Sequence, residues 1–191
     1  MMRQERIGFA VCGSFCTHAR VLEALRRVTE LYECVIPIAS ETAARTDTRF
    51  GTSTDLLRRM EELTGRPVLR TIPEVEPIGP KKLLDALVIA PATGNTIAKL
   101  AVGITDTAVT MAAKAHLRNG RPVILAVASN DGLAAGASRI GELLVRKNYY
   151  FVPFGQDNAA AKPCSLVADF SKIPETLDAA LRGQQLQPLL L

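Results

Sequence analysis

Residues 83–106 read LLDALVIAPATGNTIAKLAVGITD, and this stretch decides the fold that the rest of the chain is expected to adopt. Residues 86–90 form a short, wholly apolar run, which is typical of a strand buried on both faces of a parallel sheet. Pro91 is predicted to end that strand, and residues 93–96 then lead directly into a helix. Gly103 is the predicted helix stop, because glycine readily takes the left-handed conformation that ends a helix. The stretch therefore predicts a buried strand followed by a helix.

The turn between this strand and this helix is a candidate anion site. Its residues are small and mostly polar: Thr93, Gly94, Asn95 and Thr96. Free backbone N–H groups at a helix N-terminus and the helix dipole both favour a negative charge, so a single phosphate suits such a turn. The alternative is that Thr93, Asn95 and Thr96 only cap the helix. The spacing alone does not separate these two interpretations.

The length and composition of the chain indicate a single domain that spans residues 1–191. Of the 191 residues 48% are hydrophobic, which is enough apolar side chain for one full-sized core. The net charge of +4 is spread over isolated basic pairs and only 5% of residues are aromatic, so no nucleic-acid partner is expected. Neither a charged leader nor a stretch of membrane-spanning length is recognised, which favours a cytoplasmic protein. The tail, residues 184–191, becomes apolar from Leu186 onward and is a candidate docking arm.

A second candidate phosphate turn follows the first predicted strand, residues 7–11. This turn contains Gly13, Ser14 and Phe15. The fingerprint G-x-G-x-x-G is absent, and Ser40 stands after the next strand, where a dinucleotide fold has an acidic residue. A mononucleotide phosphate between these serines and the turn after the central strand therefore fits better than NAD. Ordinary turn and cap chemistry is the alternative for both serines.

The remaining pattern alternates strands with helices. Further strands are predicted at residues 35–38, 122–128 and 149–152, with amphipathic helices between them. Three segments are expected to lack regular structure: residues 41–52, residues 74–80, and residues 154–157 with 162–163. The alternation predicts an α/β protein whose crossover connections are right-handed.

The cysteines and histidines do not predict a metal site or a catalytic pair. Cys12 and Cys16 are four positions apart, but no histidine or second cysteine pair stands at metal-ligand spacing. Reduced thiols in or near the core are therefore expected, and no metal is predicted. His18 and His116 are the only histidines, and neither is a candidate for catalysis. The catalytic residues are left unassigned.

The central stretch resembles the signature of a known family. Residues 89–101 and 103–106 are similar to the signature of the FMN-binding flavoproteins related to cysteine decarboxylases and, more distantly, to flavin prenyltransferases. The resemblance implies a Rossmann-like (flavodoxin-like) three-layer fold with a central parallel sheet, FMN as the cofactor, and homo-oligomers, trimers or dodecamers, with flavin near an interface between protomers. The cofactor-binding residues that it implies are Gly13, Ser14, Phe15, Ser40, Thr93, Gly94, Asn95, Thr96 and Asn130.

Two departures from the family pattern concern the chemistry. The decarboxylases have a catalytic histidine eight positions before the aspartate that opens the central strand, and the corresponding residue before Asp85 is Pro77. Those enzymes also carry a substrate clamp, Pro-x-Met-Asn-x-x-Met-Trp, of which only Asn130 remains. The arginine that the prenyltransferases have near this strand end is absent as well. The resemblance therefore implies the fold and the cofactor, but not decarboxylation.

One branch of the family, the B subunits of dipicolinate synthase, resembles the chain from end to end. The matching segments are G-S-x-C-T at 13–17, T-R-F-G at 48–51, E-P-x-G-P-K at 76–81, K-A-x-x-R-N at 114–119, P-F-G-Q-D at 153–157 and Q-Q-L-Q-P at 184–188. The resemblance implies a nicotinamide-dependent partner, the A subunit of dipicolinate synthase. Together the two proteins would oxidise dihydrodipicolinate, or its hydroxytetrahydro precursor, to pyridine-2,6-dicarboxylate for bacterial spores, in the mother-cell cytoplasm.

Three hypotheses follow from these patterns. In the first, the chain is one component of an oxidoreductase and is inactive without its partner, and Arg49 and Lys114 neutralise the carboxylates of a small dicarboxylate substrate. The alternative for Lys114 is a solvated helix face near a helix C-terminus, where cations are favoured. In the second hypothesis the chain is an independent decarboxylase of a cysteine-type substrate, which Pro77 argues against. In the third it is a non-catalytic, flavin-binding protein that stabilises a partner.

Overall fold

The computed structural model describes residues 2–191 as strands and helices in alternation. The strands are β1 (Arg3–Val11), β2 (Tyr32–Ala39), β3 (Ala86–Ala92), β4 (Val123–Ser129), β5 (Tyr149–Phe151), β6 (Phe154–Asn158) and β7 (Lys162–Ala168). The helices are α1 (His18–Leu31), α2 (Glu41–Arg45), α3 (Ser53–Thr64), α4 (Ile72–Val75), α5 (Gly94–Val102), α6 (Ala108–Leu117), α7 (Ala137–Leu144) and α8 (Ile173–Leu181). Within residues 2–191, no helix has the length and apolar character that a membrane span requires.

The sheet is parallel at its centre, as the sequence predicts. β2, β1, β3 and β4 lie side by side in that order, and each pairing is parallel. β5 pairs in parallel with the first half of β4, from Val123 to Leu125. With the helices packed around this sheet, the expected Rossmann-like, flavodoxin-like α/β fold is confirmed.

The central strand is longer than predicted, because Pro91 does not end it. All seven residues of β3 are buried, as expected for a strand covered on both faces. The pairing of β3 with β4 is interrupted between Ile89 and Ala92, since Pro91 has no N–H to donate to the ladder. Ala92 then pairs with Val127, so the strand continues past the proline.

Two segments that are expected to be irregular contain short helices. α2 lies at the start of the segment 41–52. It forms there because the Oγ of Ser40 accepts a hydrogen bond from the Ala43 N–H (3.2 Å) and so caps the helix. α4 and a 3-10 turn (Glu76–Ile78) occupy the proline-rich approach to β3. Pro73 and Pro77 are tolerated there because each stands in a first helical turn, where its missing N–H has no helical partner.

The third segment expected to be irregular forms an antiparallel hairpin, so the sheet is not parallel throughout. β6 pairs with β7, and β7 pairs with the end of β4 through Ala128 and Ser129. Polar residues together with Gly155 and Pro163 hide the strand pattern in the sequence. These strands depend on pairing with β4, a contact between distant parts of the chain that local propensity does not report.

The tail lies along β6 of its own chain. The Phe154 N–H donates to the Leu189 carbonyl (3.0 Å), and the Leu191 N–H donates to the Phe154 carbonyl (3.1 Å). Leu190 and Leu191 nevertheless keep 70% and 66% of their surface exposed. The tail therefore covers a strand edge and also presents apolar surface outward.

Candidate functional site

The carboxyl ends of the four central strands lie at one edge of the sheet, because β1 to β4 run parallel. Each end is followed by a residue that the sequence predicts for the cofactor site: Ser14 after β1, Ser40 after β2, Thr93 after β3 and Asn130 after β4. In open α/β sheets this edge is where ligands bind. The strand-end turns therefore form the candidate site, and their contacts show how closely they approach one another.

The turn after β1 contacts the turns after β3 and β4. The Ser14 hydroxyl donates to the carbonyl of Ala128 near the end of β4 (2.8 Å), and Ser14 adopts a left-handed conformation with φ of 59°. A Cβ at Gly13 would lie 3.6 Å from the Cγ2 of Thr93. Phe15, next in the turn, packs its ring on that of His18 with the ring centres 5.3 Å apart.

The N-terminus of α5 combines a hydroxyl cap with free backbone donors. The Oγ1 of Thr93 accepts a hydrogen bond from the Thr96 N–H (3.2 Å), and the two threonine hydroxyls are 3.0 Å apart. Capping of the helix, one of the two interpretations left open by the sequence, is therefore real for Thr93. The N–H groups of Gly94 and Asn95 have no hydrogen-bond acceptor within residues 2–191, and the Asn95 side chain is exposed. Helix capping and anion binding are thus compatible in this turn.

Gly94 allows α5 to begin directly beside the end of β4. A Cβ at this position would lie 2.7 Å from the Oγ of Ser129 and 3.0 Å from a carboxylate oxygen of Asp131. Ser129 in turn donates a hydrogen bond to Asp131, while Asn130 between them is exposed. Of this turn, only Asn130 is among the predicted cofactor-binding residues, and Ser129 is not. The sequence contains a signal for Ser129, because it is a small hydroxyl residue at the end of its strand. Ser40 and Thr93 directly follow their own strands in a similar way.

Ser40 is almost wholly buried and joins two neighbouring strand ends. Its N–H donates to the carbonyl of Val11 (2.9 Å), while its hydroxyl oxygen caps α2. The next residue, Glu41, uses one carboxylate oxygen to accept a hydrogen bond from the Ala108 N–H (3.2 Å). Its other oxygen is buried and has no partner among the described residues. Glu41 therefore places an unpaired acceptor beside the candidate site, and no sequence pattern predicted it.

Cys12 and His18 near the site, and His116 at the opposite edge of the sheet, are not suited to proton transfer. Burial raises the pKa of Cys12 to about 11, and its sulfur accepts a hydrogen bond from the Thr96 hydroxyl (3.4 Å), so Cys12 remains a neutral thiol. Burial lowers the pKa of His18, and its Nε2–H donates to the carbonyl of Cys12 (2.8 Å). His116 is fully buried, and its pKa is lowered to about 4 by burial. Each group has a structural role that accounts for its position.

Arg49 and Lys114, the two candidates for substrate binding, lie in different parts of the chain. Arg49 is exposed, follows β2 and α2, and has its guanidinium 4.9 Å from the centre of the Phe50 ring. Lys114 stands in the last turn of α6, close to the amino end of β4, and borders two cavities that Arg49 does not line. One chain therefore does not bring the two side chains to one ligand.

Comparisons with known proteins identify the family. Residues 1–137 match the model of the family described as Flavoprotein. Over 190 residues, which are 100% of this chain and 95% of the relative, the chain is 42% identical to the B subunit of dipicolinate synthase from Bacillus subtilis (strain 168). The crystal structure of the B subunit of dipicolinate synthase from Bacillus halodurans C is 44% identical, with a TM-score of 0.91 over 100% of this chain and 98% of that one.

A more distant structure shows how far the fold extends. The FMN-dependent cysteine decarboxylase SpaF is 23% identical, with a TM-score of 0.69 over 93% of this chain and 97% of that chain. Likeness at this level concerns the fold alone. The family-model match over residues 1–137 and the 42% identity along the whole chain show more than a shared fold. On those two findings, this chain belongs to the flavoprotein family.

Proposed function

We propose that the chain is the FMN-binding B subunit of a dipicolinate synthase. With a nicotinamide-dependent partner, the A subunit, it would form pyridine-2,6-dicarboxylate by oxidation of dihydrodipicolinate or its hydroxytetrahydro precursor during sporulation, in the cytoplasm of the mother cell. The observation that carries the proposal is 42% identity to the B subunit of dipicolinate synthase along 100% of this chain. Pro77, at the position of the decarboxylase histidine, argues against the alternative of an independent decarboxylase.

The strand-end turns have the donors that a phosphate group of FMN needs. The N–H groups of Gly94 and Asn95 have no acceptor in the described chain, and the Thr93 hydroxyl lies in the same turn. The hydroxyls of Ser14 and Thr96 lie in the adjoining turns, where they donate to Ala128 and Cys12 and would turn toward a bound phosphate. Helix N-terminal N–H groups together with hydroxyl donors are a common anion site. These residues therefore fit the phosphate of a mononucleotide and would hold it.

When bound, FMN supplies a hydride acceptor for oxidation of a cyclic substrate. The chain's own contribution is to fix the cofactor and to shield it. Acid–base catalysis needs a group with a pKa near the working pH within reach of the substrate. Cys12 and His18 do not meet that need, because burial raises the first pKa to about 11 and lowers the second. This supports a requirement for the partner protein in turnover.

The FMN site is tested with two substitutions and two matched controls. Ser14→Leu puts a bulky side chain at a residue whose φ of 59° is unfavourable for such side chains. Thr96→Val removes a buried hydroxyl and keeps the shape of the side chain. We expect Ser14→Leu to abolish flavin retention and Thr96→Val to weaken FMN binding about tenfold. Thr29→Val on α1, and Asn148→Leu, where φ is 68° just before β5, should bind FMN normally. Equal FMN affinity in all four variants, measured by flavin fluorescence, would refute the site.

The reaction is tested by incubating the purified chain with FMN and dihydrodipicolinate, with and without the dehydrogenase-like partner. Dipicolinate is followed by its ultraviolet absorbance. We expect product formation above the rate of air oxidation only when both proteins are present. Rapid formation by this chain alone would contradict the need for a partner, and carbon dioxide release from a peptide with C-terminal cysteine would favour the decarboxylase.

A further inference from the structure

Two segments that are far apart in the sequence meet at the end of the sheet opposite the strand-end turns. Residues 76–82 precede β3, and residues 114–119 precede β4. The Asn119 amide donates to the carbonyl of Gly79 (3.0 Å) and ties the segments together. A Cβ at Gly79 would lie 2.9 Å from the carbonyl oxygen of Ala115, so glycine permits this close approach. Both segments contain motifs that the FMN site does not use.

The two segments line a cavity of about 450 Å³ that is open to solvent on one side. This volume is within the range of small-molecule sites in proteins. α6 presents one face to it, with side chains spaced three and four residues apart. The lining residues are Glu76, Gly79, Pro80, Lys82, Met111, Lys114, Ala115, Arg118 and Asn119. The cavity thus combines apolar walls with a group of cationic side chains.

The cations of this cavity are exposed side chains that line one space. Lys82, Lys114 and Arg118 form no ion pair with any residue in the described range 2–191. Arg121, which follows the second segment, is paired with Asp85 (2.8 Å) and so is not available to a ligand in the same way. Glu76 is the single acidic residue in the lining, so the cavity carries an excess of positive charge. Three unpaired cations around one small cavity favour an anionic ligand with more than one negative group.

We propose that this cavity binds a small planar dicarboxylate of the pyridine-2,6-dicarboxylate class. Arg118 can take one carboxylate through two parallel hydrogen bonds, and Lys82 and Lys114 can neutralise the other. Pro80, Met111 and the methyl group of Ala115 offer apolar contact to the faces of a ring. The class of ligand rests on the proposed function. The cavity and its positive charge are observed in the structure and do not depend on that function.

Dicarboxylate binding here is separable from FMN binding, because the two sites occupy opposite edges of the sheet in one chain. A dicarboxylate in this cavity does not reach the flavin of the same chain, so the cavity is a second dicarboxylate site and not the place of hydride transfer to that flavin. Lys114 and Arg118 also stand at the C-terminal end of α6, where cations are favoured by the helix dipole. A purely structural role of this kind predicts that their substitution lowers helix stability and leaves ligand binding unchanged. The distinction therefore needs a binding measurement rather than a melting curve alone.

The test is calorimetric titration of the purified full-length chain with dipicolinate in metal-free buffer, since this ligand chelates divalent cations. Picolinate, with one carboxylate, and inorganic phosphate serve as comparison ligands. Lys114→Gln and Arg118→Gln should each weaken dipicolinate binding about tenfold. Lys147→Gln and Arg66→Gln, exposed charges outside the cavity lining, should leave it unchanged. Added salt should weaken binding, because open charged sites are screened.

Preference for dipicolinate over picolinate and phosphate, lost in the two cavity variants alone, would support the proposal. Absence of dipicolinate binding, equal effects of the control variants, or stronger binding of phosphate would overturn it. Flavin fluorescence is measured on each variant in parallel. Retained FMN binding with no dicarboxylate binding would reject the cavity and leave the proposed function standing. Dicarboxylate binding in a chain that does not bind FMN would reject the proposed function instead.

Discussion

Substitution of His116 should change how the stability of this protein responds to acid. The side chain is fully buried in α6, and its Nε2–H donates to the carbonyl of Pro122 (3.0 Å). The other ring nitrogen, Nδ1, is buried and has no partner among residues 2–191, so a proton added there gains no acceptor. Burial lowers the pKa of His116 to about 4, and the nearby charge of Arg121 acts in the same direction.

The magnitude follows from the difference between this value and the ordinary histidine pKa of about 6.5 in the unfolded chain. The folded protein binds the proton more weakly than the unfolded chain, so acid favours unfolding. The stabilising contribution is complete above pH ~6.5 and is lost as the pH falls toward 4. Linkage therefore lowers the free energy of unfolding by about 2 kcal/mol between pH 7 and pH 5. The decrease reaches about 3 kcal/mol once His116 is protonated in the folded protein as well.

The assay is urea denaturation of the wild type and of His116→Gln at pH 7, 6 and 5. Glutamine can donate to the Pro122 carbonyl but does not titrate, so the variant should lose about 2 kcal/mol less than the wild type between pH 7 and pH 5. His18→Gln is the matched control. Its ring is only half-buried, so a smaller change is expected. Parallel stability curves for the wild type and His116→Gln would show that His116 does not control the acid response.

Three further predictions concern packing and assembly. Gly79→Ala should destabilise the fold by about 1–3 kcal/mol, because its Cβ would meet the Ala115 carbonyl, whereas Gly141→Ala, with open space around the Cβ, should not; equal urea midpoints would contradict this. Removal of residues 188–191 deletes both backbone hydrogen bonds to Phe154 and should lower the melting temperature, and unchanged melting and assembly would argue against a docking role for the tail. Light scattering should report a homo-oligomer, trimeric or dodecameric, and a flavin-bound monomer at micromolar concentration would refute that expectation.

The sequence by itself determined the elements that local interactions control. An apolar run indicated β3. An apolar face and the hydroxyl of Thr93 indicated the start of α5, and Gly103, with φ of 79°, ends that helix as predicted. These features act within one or two turns of the chain, so the residues that cause them are neighbours in the sequence. The small hydroxyl residues after the strands were predicted from the sequence as well, because each directly follows its own strand. Their meeting at one edge follows from the parallel arrangement of the strands.

Only the tertiary structure decided the features that depend on distant partners. The strands β6 and β7 exist because β4 offers its open edge, and the neighbouring strands hold β3 in register past Pro91. The contact of Gly94 with Ser129 and the meeting of Gly79 with Ala115 join segments whose own sequences give no sign of each other. A chain's local pattern records what each residue prefers. Lys114 and Arg118 are neighbours through their spacing of four residues on α6, which is a local feature. Only the packing of α6 against residues 76–82 brings Lys82 to them, and it leaves Arg49 apart.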